Sequence, residues 1–75
     1  MRKNINVIAK FSEDGTVTPL YILWDEIRIY EIDKVLDIRK RASTRGGGMG
    51  LRYLCRIKNQ ERFIWLDDYT WFLEV

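Results

Sequence analysis

Ile27-Arg28-Ile29-Tyr30-Glu31-Ile32-Asp33-Lys34-Val35-Leu36-Asp37-Ile38-Arg39-Lys40-Arg41 is the stretch whose reading decides the fold. At period 2, Tyr30 and Ile32 share one side. The alternation then slips by one at the adjacent apolar residues Val35 and Leu36, before Ile38. A one-residue slip within a long strand is what a β-bulge produces, and bulges bend strands around barrel corners. At period 3.6, Ile32, Val35, Leu36 and Arg39 stand at i, i+3, i+4 and i+7, which would make residues 31–41 a helix. The β-branched residues and the hairpin signals on either side favour the strand.

Toward the N-terminus, Ile5, Val7, Ala9 and Phe11 alternate and predict a strand over Asn4–Phe11. Asp14-Gly15 supplies a turn with a positive φ, and a second strand follows over Thr16–Trp24. Pro19 lacks a backbone donor, so its end of that strand belongs at an edge or a bulge. Leu20-Tyr21-Ile22-Leu23-Trp24 is apolar on both faces. Either a closed barrel buries both sides, or a second copy of the chain covers one of them.

Toward the C-terminus, a glycine-rich loop is expected over residues 42–50. Strands are then expected over 51–57, 62–66 and 71–75, with turns at 58–61 and 67–70. In the first of these, Leu51, Tyr53, Cys55 and Ile57 share one face, and Arg52, Leu54, Arg56 and Lys58 the other. Short strands between turn signals predict an all-β protein: a small antiparallel barrel or strongly bent sheet of five to six strands, SH3-like before OB-like. Its expected core is Val7, Ile22, Trp24, Ile32, Val35, Tyr53, Cys55, Ile57, Trp65, Trp71 and Leu73.

With 75 residues, the chain makes one domain near the lower size limit for a self-sufficient core. Three tryptophans, four tyrosines and three phenylalanines supply large apolar surfaces for that core. Cys55 is the only cysteine and there is no histidine, which excludes an internal disulfide and a Cys/His zinc site. A Ser/His or Cys/His nucleophile pair is excluded for the same reason. The acidic pairs Glu13-Asp14, Asp25-Glu26 and Asp67-Asp68 all fall in expected turns and read as solvated carboxylates. No enzyme, cofactor or metal centre is expected. The basic N-terminus leads into alternating residues rather than an apolar signal core, and no apolar run is long enough to span a bilayer. A soluble cytoplasmic protein without membrane contact is expected.

Charge is distributed unevenly. Residues 1–38 carry five bases and seven acids, residues 39–58 carry seven bases and no acid, and residues 59–75 carry one base and four acids. Arg39, Lys40, Arg41, Arg45, Arg52, Arg56 and Lys58 therefore form the candidate site. They sit on two strands joined by a loop with four of the five glycines. Such a patch binds phosphate backbones weakly and salt-sensitively, without reading sequence, and arginine adds bidentate phosphate contacts and base stacking. The alternative is a solvated polar face whose arginines pair with Asp25, Glu31, Asp37 or Glu61. Gly46-Gly47-Gly48-Met49-Gly50 lacks the Lys-Ser/Thr of a phosphate loop and precedes a strand, not a helix. It reads as a mobile hairpin tip, with an anion-binding nest of backbone amides as the lesser reading.

Across nearly its whole length, the chain resembles a family of short, uncharacterised bacterial proteins. The residues that carry this are Pro19-Leu20, Trp24, Arg28-Ile29-Tyr30, Asp33 to Arg39, Gly48 to Tyr53, Cys55-Arg56-Ile57 and Trp71-Phe72-Leu73-Glu74. That resemblance implies no activity and no binding residues. More distantly, the order Trp24, Tyr30, Val35-Leu36, Tyr53, Arg56, Trp71 and Leu73-Glu74 is similar to a domain of unknown function associated with translesion DNA-polymerase cassettes. The glycine loop is not part of that pattern, and the likeness implies a DNA-repair setting. The functional expectation is a non-enzymatic binding module for nucleic acid, or a protein-interaction or self-associating module, with a homodimer as one form.

Overall fold

Three tight turns fix the registers from which the sheet grows. At Lys58-Asn59 both residues take positive φ, 50° and 62°, in a two-residue hairpin that sets Ile57 opposite Gln60. Asp68, at φ 55°, begins a second two-residue turn that sets Asp67 opposite Thr70. The first hairpin turns at Gly15, φ 90°, where the Asp14 carboxylate accepts the Thr16 N–H at 2.9 Å.

The computed structural model describes residues 1–42 and 49–74. Seven strands run in chain order: β1 Arg2–Phe11, β2 Val17–Leu23, β3 Ile29–Glu31, β4 Lys34–Ala42, β5 Met49–Ile57, β6 Gln60–Asp67 and β7 Thr70–Glu74. All pairings are antiparallel, in the order β3-β2-β1-β7-β6-β5-β4. The sheet curls into a half-barrel, and the described residues contain no helix. The glycine run 46–48 and Arg45 lie outside the described residues.

The strand reading of residues 27–41 holds, with two corrections. The segment starts as a strand at Ile29 rather than Ile27 and is two strands on opposite edges of the sheet, so the described residues hold seven strands rather than five to six. Between them, Ile32 N–H donates to the Leu20 carbonyl and Asp33 N–H donates to the Arg56 carbonyl, each at 2.9 Å. Two residues thus carry the chain from the β2 side to the β5 side and draw the edges together. The expected slip is present: Val35 pairs with Cys55 and Asp37 with Leu54, leaving Leu36 as the extra residue of a bulge. A second shift, between Ile8 and Ala9, leaves Leu20 without a partner on β1, beside Pro19. β3 pairs only with residues 21–23, so the Pro19 half of β2 needs no donor toward β3.

The core on the inner face comprises Ile5, Ile22, Ile32, Tyr53, Cys55, Ile64 and Trp71. Val7, Trp24, Val35, Ile57 and Leu73 pack against it, as expected. Ile5 and Ile64 were not expected there, and Trp65 was. The turn at Lys58-Asn59 sets Tyr53 opposite Ile64, so Ile64 points inward and Trp65 to the outer face. The Tyr53 hydroxyl donates to the Val17 carbonyl at 2.6 Å, tying β5 to the start of β2, and burial raises its pKa. Cys55 is fully buried, and burial pushes its thiol up to about 12. The doubly apolar strand is resolved the same way: Ile22 is inside, whereas Tyr21 and Leu23 face outward.

Candidate nucleic-acid interface

On the face away from the core, the register assembles one row across five strands. Asn4 pairs with Phe72, Phe72 with Trp65, Trp65 with Arg52, and Arg52 with Arg39. Residues directly opposite in an antiparallel sheet share a face, so these side chains stand side by side. The next row joins Phe63, Leu54 and Asp37, and a third joins Glu61, Arg56 and Lys34.

Guanidinium groups on this face lie over its rings. The Arg2 guanidinium lies 3.8 Å from the Phe72 ring centroid. Phe72 and Trp65 stack at 6.0 Å with planes 8° apart. The Arg52 guanidinium lies 4.6 Å from the Phe63 centroid and 5.8 Å from that of Trp65. Arginine suits this position because its planar, weakly hydrated head stacks on aromatic faces while keeping its N–H donors at the edge.

Two of the arginines are engaged by carboxylates. Arg39 donates to Asp37 at 2.8 Å, and Arg56 lies 3.9 Å from Glu61. The hydrogen bond from Arg39, aided by its charge and that of Arg52, lowers the Asp37 pKa, while Asp37 raises that of Arg39. Both ion pairs are solvent-exposed, and such pairs contribute only about 0–1 kcal/mol. A phosphate that offers two acceptors can therefore take Arg39 from Asp37 at little cost.

Four of the seven expected site residues come together on one face. Arg39, Arg41, Arg52 and Arg56 share the outer face, whereas Arg45 lies outside the described residues. Lys40 pairs with Leu51, which packs on the core, so it points to the other face. Lys58 belongs to the β5–β6 turn, and its ammonium sits 5.2 Å from the Tyr30 ring centroid, also away from the outer row. The single patch expected from sequence is thus narrower than seven residues. What that expectation missed is the aromatic part, Phe63, Trp65 and Phe72, together with Arg2. The signal for it was the unbroken apolar run Phe63-Ile64-Trp65-Leu66, which cannot all face one core.

On the inner side, an open groove of about 790 Å³ is walled by Trp24, Tyr30, Ile57 and Leu73, with Arg28 and Lys58 also bordering it. Arg28 is held by Asp25, whose carboxylate also accepts the Ile27 and Arg28 N–H groups. Those hydrogen bonds, led by the one from the Arg28 backbone, bring the Asp25 pKa down to about 2. Phe63 and Trp65 border the groove as well, so groove and outer row meet along β6. Among the described residues, no cluster of carboxylates and thiol is suited to a metal ion, and no helix is long and apolar enough to cross a membrane.

No family model, curated protein or solved structure matches this chain.

Proposed function

We propose that this protein is a non-catalytic module that binds nucleic acid through the outer face of β4–β7, by salt-dependent contacts to the phosphate backbone. The observation that carries this reading is the row in which Arg52 lies between the rings of Phe63 and Trp65 and directly opposite Arg39. Two like charges placed opposite each other on adjacent strands disfavour the empty fold, and an anion between them turns that repulsion into attraction. A DNA-repair setting in the cytoplasm is part of the same proposal.

Fluorescence anisotropy of labelled DNA and RNA at 20–200 mM salt tests it. About four phosphate contacts give a slope of log affinity against log salt near −3.6 for duplex and about −2.8 for a single strand. Absence of binding at the lowest salt overturns the reading.

A second reading rests on a different observation. Ile8, Tyr21, Leu23 and Ile29 share the outer face of β1–β3, with Ile8 opposite Tyr21 and Leu23 opposite Ile29. Ile8, Tyr21 and Ile29 are exposed. A second copy of the chain laid on this face would cover the apolar surface and leave the arginine row open, since Asn4 and Asn6 separate the two. Light scattering over a hundredfold range of concentration tests it, and a constant monomer mass is the outcome against it.

A further inference from the structure

Resting on the nucleic-acid reading above, we infer that the ligand is single-stranded, and that its bases stack on Phe63, Trp65 and Phe72 by displacing the guanidinium groups that now cover them. A duplex hides its base faces and offers phosphates and groove edges. A single strand offers every base face, and aromatic side chains on a sheet are the platform such faces use.

Three rings stand together on the outer face. Phe72 and Trp65 are cross-strand neighbours with nearly parallel planes. Phe63 lies two residues from Trp65 on the same strand and the same face, about 6.6–6.8 Å along it. Phe63 is among the more exposed apolar side chains of the chain, at 46%. A core-forming role does not account for it, because Ile64 and Leu66 supply the inward side of β6.

The present occupants of the ring faces are cations. Arg2 lies over Phe72, and Arg52 lies over Phe63 and, farther off, over Trp65. A guanidinium–ring contact on this half-buried surface is worth no more than a base–ring stack, and the released guanidinium gains a phosphate, so the exchange is favourable. The displaced guanidinium groups stay tethered beside the platform. There they meet the phosphates that link the stacked bases, with the donor fork suited to bidentate contact. Each arginine thus holds a ring face free of apolar contacts until a base takes it, and then neutralises backbone charge.

The geometry also sets a limit on what is read. Stacking tolerates any base, and among the described residues no polar side chain is buried, so discrimination among bases is weak. Pyrimidine-rich and mixed strands should bind within about tenfold of each other.

Two probes separate this inference from the reading it rests on: a twelve-nucleotide oligothymidylate, and a twelve-base-pair duplex of mixed sequence, at equal salt. The expected result is oligothymidylate binding at least about tenfold tighter than duplex, with quenching of tryptophan fluorescence. Phe63→Leu and Trp65→Leu should each weaken oligothymidylate by about tenfold, one stacked base's worth, and weaken duplex binding by a smaller factor, because Arg52 remains while its ring support is lost. Phe63→Leu is the safer variant because its ring is exposed, and circular dichroism checks that both variants keep their strands. Duplex binding equal to or tighter than single-strand binding overturns this inference and leaves the phosphate-contact reading standing. An unchanged oligothymidylate affinity in both leucine variants also overturns it. If neither probe binds, both are overturned.

Discussion

Arg39 and Arg52 face each other directly across β4 and β5. Two guanidinium groups at that separation repel, and each is drawn aside by a different partner: Arg39 by Asp37, Arg52 by Phe63 and Trp65. The ion pair is exposed and weak, and the ring contact is open enough to solvent to be exchanged. The pair is therefore held ready to change partners, the property a phosphate-binding surface needs. Removing one member should reveal both sides of that arrangement. Arg39→Gln should leave stability within about 0.5 kcal/mol, since lost repulsion offsets the lost exposed ion pair. It should also lower the salt slope of nucleic-acid binding by about 0.7–0.9. Chemical denaturation and anisotropy on the same preparation check the two together.

The inward and outward faces of β6 make a sharper test of the fold. Ile64 is fully buried beside Tyr53, whereas Trp65 belongs to the outer row. Ile64→Ala should cost about 2–5 kcal/mol, much of the stability of a domain this small. Trp65→Leu should cost far less, although tryptophan is the larger side chain. Thermal melts of the two variants decide it, and the reverse order would place the register one residue off.

That register marks the limit of what the sequence disclosed. The bulge at Leu36 was legible because two adjacent apolar residues, Val35 and Leu36, interrupt a period of two. The faces of β5 were legible because Tyr53 and Cys55 alternate with arginines. In β6 the run Phe63 to Leu66 is apolar at both parities, so periodicity carries no information there. Only the hairpin at Lys58-Asn59, counted forward residue by residue, assigns Ile64 to the core. The division of 27–41 between two sheet edges was hidden for another reason. It depends on hydrogen bonds from Ile32 to Leu20 and from Asp33 to Arg56, contacts distant in sequence that no local pattern encodes. The basic half of the site was visible as a charge run. Its aromatic half required knowing which residues stand opposite one another.

Tyr53 offers a test of how the half-barrel is closed. Its hydroxyl reaches the Val17 carbonyl from within the core. Tyr53→Phe keeps the ring tilted against Trp71 and removes the donor, leaving that carbonyl without this partner. The expected loss is about 1–2 kcal/mol, or about 4–8 °C in Tm for each kcal/mol at this chain length. An unchanged Tm would show that the β2–β5 link contributes nothing.

Cys55 gives a pH-dependent prediction. Burial raises its thiol pKa in the fold to about 12, above the ordinary value of 9.0. The folded state therefore favours the protonated form. The corresponding stability is fully present below pH 9 and is lost progressively as pH rises toward 12. A disulfide reagent at pH 8 should label Cys55 only at the rate of unfolding, and labelling should accelerate in denaturant. Immediate labelling of the native protein would contradict the burial.

The most direct test of the central claim is a two-dimensional ¹H–¹⁵N NMR titration of the whole chain with a short single-stranded oligonucleotide at low salt. Binding at the outer face predicts that the largest shifts fall on the Trp65 indole and on the amides of Phe63, Arg52, Arg39 and Phe72. The buried Trp71 indole should move little, and the shifts should reverse as salt is raised. A spectrum that does not change, or shifts confined to Ile8, Tyr21, Leu23 and Ile29 on β1–β3, would contradict it.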